Sequence, residues 1–136
     1  KLLDGLTALH TAKAEYGRAG NSAQKRSAMD VKNAEEDVPA YEHPVVRTHP
    51  ETGRKALYVN PAFTERFSGM TRAESKPLLE FLYAHATREE FTCRFRWQKG
   101  SLAFWDNRCV QHFALNDYHG HRRHMRRVTV NGDLPR

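Results

Sequence analysis

The chain has 136 residues, of which 39% are hydrophobic, so it is long enough to bury a core and form one domain. Its 22 lysines and arginines outnumber its 16 aspartates and glutamates, and the net charge of +6 fits a nucleic acid or a small anionic substrate. Because the basic residues do not form one long run, we expect no nucleic-acid partner. No apolar run is long enough to span a bilayer, so we expect no membrane partner either. The sequence leaves open whether copies of the chain form a homo-oligomer.

The N-terminal part of the chain changes character after a short opening segment. Residues 1–11 predict a helix end followed by a short strand. Glycine, asparagine, serine, glutamine and charged residues dominate residues 18–37, where little besides Met29 and Val31 is suited to burial. Residues 12–40 are therefore predicted to be a mobile loop or a weak helix, and two interpretations of their role stay open: a disordered surface excursion, or a lid over an active site.

A β-hairpin is predicted next. Residues 45–48 (Val-Val-Arg-Thr) have the β-branched composition of a strand, and residues 56–59 (Ala-Leu-Tyr-Val) are its predicted partner. Pro50 and Gly53 mark the turn between them.

A helix follows the hairpin. Thr71 and Glu74 have the spacing of a capping box, in which both side chains satisfy free backbone donors at a helix start. Apolar side chains then recur at helical spacing: Leu78, Leu79, Leu82 and Tyr83. Because Pro77 lacks a backbone donor, the regular helix is expected to begin nearer Ser75 or Lys76.

Two further strands are predicted after the helix. Residues 91–97 alternate strictly between apolar and polar side chains, which indicates a half-buried strand, and residues 102–105 begin the next strand. Cys93 and Cys109 lie in apolar runs without the spacing of a disulfide framework or a metal motif, so both are predicted to be buried free thiols. Free thiols fit a reducing cytoplasm.

The last predicted strand is basic. Val128 and its β-branched neighbours favour extended backbone over residues 122–130. Arg123 and Arg127 would then share one face, about 13 Å apart, which suits two anionic groups on either side of a reacting centre. A helix would also place these two arginines on one face.

The C-terminal third of the chain carries a series of spaced motifs: residues 105–108 (Trp-Asp-Asn-Arg), 111–114 (Gln-His-Phe-Ala), 117–118 (Asp-Tyr), 122–127 (Arg-Arg-His-Met-Arg-Arg) and 132–133 (Gly-Asp). In this order they resemble the C-terminal signature of the taurine dioxygenase family. The resemblance extends upstream through residues 43–53 and 58–60, and more weakly through residues 1–11.

The resemblance implies an oxygenase that uses iron(II), 2-oxoglutarate and dioxygen. It also implies a mainly β fold with helices, a double-stranded β-helix of the jelly-roll type, incomplete in this chain. We therefore expect residues 1–136 to be the C-terminal portion of a single oxygenase domain, with the mobile loop or lid around 12–40.

The resemblance also assigns roles to three residues. His112 matches the distal iron ligand of a facial triad of two histidines and one carboxylate. Arg123 matches the arginine that binds the distal carboxylate of 2-oxoglutarate, a task that needs a planar, always-charged, bidentate donor. Arg127 matches the arginine that contacts the sulfonate of the substrate in taurine oxygenases, although in related enzymes it approaches the cosubstrate.

The proximal His-x-Asp or His-x-Glu pair of the family is expected upstream of Lys1. His49 and Glu51 form a His-x-acid triplet within the chain, but they are rejected as this pair because they lie on a proline-containing turn. Asp106 is predicted to be structural, organising a turn and ion pairs with its neighbours. Three histidines of the basic segment fit no strong zinc template: His119, His121 and His124.

The substrate is expected to be a small anionic organic molecule, a sulfonate such as taurine or an alkyl sulfate. Aryloxyacetates are further substrates of related enzymes. The resemblance places Ala12 in a region that lines the substrate pocket of taurine enzymes, where a bulky aromatic residue is expected. Because Ala12 is small, the choice of taurine itself stays open. Hydroxylation next to a sulfonate would release sulfite and an aldehyde. The alternatives are a non-catalytic basic binding module, or an oxygenase fold that has lost its metal.

Overall fold

The computed structural model describes residues 1–13, 39–115 and 117–132. The described strands are β1 (Thr7–Thr11), β2 (Ala40–Pro44), β3 (Val46–Thr48), β4 (Lys55–Leu57) and β5 (Thr64–Phe67). They are followed by helix α1 (Arg72–Ala86) and a 3₁₀ helix (Glu89–Phe91). This part of the chain is thus mainly β with one α-helix, as predicted, and its strands do not close into a barrel. The predicted loop or lid falls mostly on residues 14–38, outside the described residues.

The strands form two small antiparallel sheets. In the first sheet β1 lies between β2 and β5, so that Ala8 pairs with His43 on one side and with Phe67 on the other. A bulge interrupts the pairing of β1 with β5 between Leu9 and His10. The second sheet is the β3–β4 hairpin, in which Val46 pairs with Leu57, and it confirms the hairpin predicted from the sequence.

One hydrophobic core joins both sheets to α1. Its buried members are Ala8, Val45, Val59, Phe67, Leu79 and Leu82. Ser75, in the first turn of the helix, is also buried, and its hydroxyl oxygen accepts a hydrogen bond from the backbone N–H of Phe67 at 3.0 Å. The helix is therefore attached to β5 both by apolar packing and by a buried polar contact.

The predicted capping box is present. The Thr71 hydroxyl accepts from the Glu74 backbone N–H at 3.2 Å, and the Glu74 carboxylate accepts from the Thr71 N–H at 2.7 Å. The later helix start expected from Pro77 is wrong, because α1 begins at Arg72 and contains the proline. The bond that Pro77 cannot donate would go to the carbonyl of Ala73, an exposed residue where water can replace it. Within the described residues, no helix is both long and apolar enough to cross a bilayer.

The predicted strands over residues 91–97, 102–105 and 122–130 are absent, which corrects the sequence analysis. A strand needs a neighbouring strand to take up its backbone N–H and C=O groups, and none lies beside these segments in the described part of the chain. Within this segment the rings of Phe95 and Trp97 meet edge-on, with centroids 4.9 Å apart. The predicted burial of both thiols is also wrong, because the same segments leave Cys93 and Cys109 exposed.

Candidate functional site

Four side chains join the segment that precedes His112 to the turn of the β3–β4 hairpin. The Arg108 Nε donates to both oxygens of Asp106 at 2.9 Å, and its Nη2 donates to Asp106 Oδ2 at 2.6 Å. The same Nη2 donates to Glu51 Oε1 in the hairpin turn at 2.9 Å. One guanidinium therefore bridges two carboxylates that are far apart in the sequence, through short charge-assisted hydrogen bonds.

His49 is the fourth member of this cluster, and its hydrogen bonds define its tautomer. The Nδ1 atom accepts from the backbone N–H groups of Glu51 and Thr52, each at 3.3 Å, so it carries no proton in this arrangement. The Nε2 atom then bears the proton and donates to Asp106 Oδ2 at 3.1 Å. With a side chain only 11% exposed, His49 is a fixed part of the turn.

The ion pair within the cluster stabilises the charged forms of both Asp106 and Arg108. The Arg108 guanidinium, followed by the His49 N–H, holds the pKa of the Asp106 carboxyl well below its usual range. The hydrogen bond to Asp106, followed by that to Glu51, raises the pKa of Arg108. Backbone N–H groups of Cys109 and Val110 also donate to the Asp106 carbonyl, at 3.2 and 2.9 Å, and close a turn. The predicted structural role of Asp106 is confirmed.

This cluster also contains the group of three potential metal ligands found among the described residues: His49, Asp106 and Cys109, with ligand atoms within 4.8 Å of one another. Two observations argue against a metal there. The Arg108 guanidinium already places a positive charge on both oxygens of Asp106, and the Nε2 of His49 is a donor rather than a lone pair. We conclude that the hydrogen bonds of this group stabilise the fold.

The three residues assigned by resemblance lie in separate local surroundings. His112 is exposed, and its ring centroid lies 4.8 Å from that of Trp105. The Arg123 guanidinium carbon lies 5.3 Å from the centroid of the Tyr118 ring, and Arg127 is exposed. His112 does not belong to the group of potential ligands described above, so residues 1–13, 39–115 and 117–132 do not by themselves fit a complete iron site.

Gln111, the neighbour of His112, makes a contact that the sequence did not predict. Its side-chain amide Nε2 donates to the backbone carbonyl of Val59 at 2.8 Å. Val59 lies two residues beyond β4 and is completely buried in the core. The residue before His112 is therefore attached directly to the packed part of the molecule.

A second polar cluster, also missed by the sequence analysis, lies on β1, β2 and the hairpin. The ring of His10 stacks on that of Tyr58 at 5.7 Å and meets that of His43 edge-on at 5.1 Å. The buried guanidinium of Arg47 lies 5.3 Å from the centroid of the Tyr58 ring. The two-residue period of a strand was the available signal, since it places His10 on the same face as the small apolar Ala8.

Burial, followed by the neighbouring charge of His43, lowers the pKa of His10 to about 4 from its usual 6.5. In the unfolded chain His10 takes up a proton near pH 6.5, whereas in the folded chain it does so only near pH 4. Below pH 6.5 the unfolded state therefore binds more protons, and the free energy of unfolding must fall until the pH reaches about 4. We expect His10 to account for a loss of about 3 kcal/mol across this window.

Urea unfolding at a series of pH values between 7.5 and 4 measures this loss. The free energy of unfolding should depend less steeply on pH in His10→Gln than in the wild type, because glutamine does not titrate. The exposed His119, changed to glutamine, is the matched control and should retain the wild-type slope. An unaltered slope in His10→Gln would show that His10 is not buried in its neutral form.

Comparison with known proteins identifies the family. The family profile described as "Taurine catabolism dioxygenase TauD, TfdA family" matches residues 1–129. An alpha-ketoglutarate-dependent sulfate ester dioxygenase of Pseudomonas putida is 47% identical over 94 residues, which cover 69% of this chain and 31% of that protein. An alpha-ketoglutarate-dependent sulfonate dioxygenase of Saccharomyces cerevisiae is 35% identical over 136 residues, which cover 98% of this chain and 32% of that protein.

A solved structure agrees with these matches. The crystal structure of a taurine dioxygenase from Burkholderia xenovorans is 43% identical, with a TM-score of 0.57, and the match covers 79% of this chain and 31% of that one. The chain spans about a third of the length of the curated relatives it matches. Since the family profile matches nearly all of the chain, this chain belongs to the taurine catabolism dioxygenase TauD, TfdA family.

Proposed function

We propose that the whole protein is an iron(II)- and 2-oxoglutarate-dependent dioxygenase that hydroxylates a small anionic organic substrate, a sulfonate such as taurine or an alkyl sulfate. The observation that carries the proposal is the family match over residues 1–129, which includes the segment with Asp106, Gln111 and His112. The substrate class is supported by the names of the relatives, which act on sulfonates and sulfate esters. The overall reaction consumes 2-oxoglutarate, dioxygen and substrate, and forms succinate, carbon dioxide and the hydroxylated product.

Within that proposal His112 is one of the three ligands of a site with two histidines and one carboxylate. Iron bound there would supply the activation of dioxygen, and the open coordination positions of such a site suit a bound cosubstrate. The other two ligands are not supplied by the cluster around Asp106, whose carboxylate is engaged by Arg108.

Arg123 is proposed to bind the distal carboxylate of 2-oxoglutarate, and Arg127 the anionic group of the substrate. A guanidinium can stack on an aromatic ring and still present its planar N–H donors to a carboxylate, so the contact of Arg123 with Tyr118 is compatible with this role. Both arginines are exposed in the described chain, so neither is held away from a ligand by burial.

The remaining features of the proposal concern the domain as a whole. The described strands would belong to a double-stranded β-helix, and residues 12–40 would form the loop or lid over its active site. The likeness to the Burkholderia xenovorans enzyme supports this architecture. We place the protein in the cytoplasm, where two free thiols are stable.

The cosubstrate assignment is tested by Arg123→Lys. Lysine keeps the positive charge but loses the bidentate fork, so the KM for 2-oxoglutarate is expected to rise markedly, by about tenfold or more for one lost charge-assisted hydrogen bond. Succinate release is measured as a function of 2-oxoglutarate concentration. Arg122→Lys, at the adjacent position, is the matched control and should have the wild-type KM for 2-oxoglutarate. A KM in Arg123→Lys equal to that of the wild type would remove Arg123 from the cosubstrate site.

A further inference from the structure

We propose that Gln111 is a positioning residue for His112, and that it holds this ligand against the buried backbone of Val59, two residues beyond the β3–β4 hairpin. The inference rests on the proposed function, because it assumes that His112 binds iron. It adds a residue that does not itself touch metal, cosubstrate or substrate.

The first step is the contact between Gln111 and the core. The carbonyl oxygen of Val59 that accepts from Gln111 Nε2 at 2.8 Å belongs to a completely buried residue. The backbone there is also held by hydrogen bonds, since the N–H of Tyr58 donates to the Val45 carbonyl at 2.8 Å. An interior packed to crystal-like density allows little movement, so this carbonyl is a rigid point of attachment for Gln111.

The second step is the attachment at the other end of the same segment. Asp106 and Arg108 bind His49 and Glu51, which lie in the turn of the β3–β4 hairpin. Residues 106–111 are thus attached at both ends, to the hairpin turn through the ion-pair cluster and to Val59, two residues beyond β4, through the Gln111 amide. Because the hairpin and Val59 are consecutive parts of the packed chain, the intervening turn is held in one orientation.

The third step is that few other contacts hold His112 among the described residues. It is exposed, it lies in a segment without a partner strand in the described chain, and its ring contact is with Trp105. The indole N–H of Trp105 donates in turn to Asn107 Oδ1 at 2.9 Å, inside the fastened turn. The position of the His112 ring therefore depends on residues 105–111, and Gln111 is the attachment nearest to it.

The test uses the whole protein with Gln111→Leu, which removes the amide donor at similar volume. The affinity for Co²⁺, followed by titration calorimetry, is expected to fall by about 10- to 100-fold, as is typical when a residue that orients a metal ligand is lost. Gln98 lies in an exposed turn and uses only its backbone in the hydrogen bonds with Ser101, so Gln98→Leu is the matched control. The control should bind Co²⁺ like the wild type.

A second measurement needs no metal. In the metal-free whole protein, the nuclear Overhauser effect between the ring protons of His112 and Trp105 should weaken in Gln111→Leu and persist in Gln98→Leu. If Gln111→Leu does not fold, Gln111→Asn replaces it, since an amide one methylene shorter cannot span the present 2.8 Å contact without movement.

The outcomes separate this inference from the function on which it rests. Wild-type Co²⁺ affinity and an unchanged ring contact in the folded Gln111 variant, together with loss of binding in His112→Ala, would overturn the role of Gln111 alone. Wild-type Co²⁺ affinity in His112→Ala would instead overturn the iron-ligand assignment. Reduced affinity in the Gln111 variant, with the Gln98 control unaffected, would support both.

Discussion

Replacement of His112 by alanine is expected to abolish turnover by the whole protein. The variant removes one of three protein ligands of the iron. Loss of a residue that only orients a ligand typically weakens metal binding by up to about 100-fold, so loss of the ligand itself should weaken iron(II) binding by more than that. The exposed ring of His112 makes its described ring contact with Trp105, so the fold should tolerate the change. Succinate release and dioxygen consumption measure turnover, and circular dichroism checks the fold.

His119→Ala is the matched control, because this histidine is also exposed and lies in the same C-terminal region. It should retain both iron binding and activity. The 136-residue chain alone should bind iron(II) weakly, since the carboxylate of its candidate ligand group is already held by Arg108. Full activity in His112→Ala would remove this residue from the iron site.

Arg127→Ala is expected to weaken binding of the anionic substrate by about 10- to 100-fold, the effect of one lost charge-assisted hydrogen bond. The effect on 2-oxoglutarate should be smaller, because Arg123 is proposed to bind that cosubstrate. The variant should also consume 2-oxoglutarate without hydroxylating an equal amount of substrate, because the substrate would be badly placed in the site. The neighbouring Arg126→Ala is the control for loss of one positive charge in the same exposed segment.

The measurement compares substrate consumption with succinate release in the wild type and both variants. Taurine, longer sulfonates and alkyl sulfates are tested in parallel, so that the preferred anionic group is found in the same experiment. If Arg127→Ala disturbs only the dependence on 2-oxoglutarate, then Arg127 belongs to the cosubstrate site. The proposal of an anionic substrate would then lose its main support within the chain.

Local chemistry explains the parts of the fold that the sequence predicted correctly. The capping box needs only Thr71 and Glu74, three residues apart, and its two hydrogen bonds form whatever surrounds the helix. The β3–β4 hairpin likewise joins segments separated by a short turn. Pro77 shows the limit of this reasoning. The helix was expected to start nearer Ser75 or Lys76, but the cap at Thr71 fixes its start at Arg72, and water can reach the carbonyl of Ala73 that Pro77 leaves without a donor.

Predictions of strands failed where pairing depends on distant parts of a protein. Residues 91–97 alternate as a half-buried strand does, but alternation describes only which side chains could face a core. Whether they do so depends on a neighbouring strand, and the described residues provide none beside this segment. The exposure of Cys93 follows from the same cause.

The sequence by itself determined the family, the hairpin and the capped helix, since ordered motifs and local spacings carry that information, and the roles of His112, Arg123 and Arg127 stay predictions. Only the tertiary structure revealed that His49 meets Asp106, 57 residues away, and that Gln111 meets Val59, 52 residues away. The physical reason is that a side-chain contact across such a separation depends on how the intervening chain packs around the core, and no local pattern records the distance between two atoms that the fold brings together.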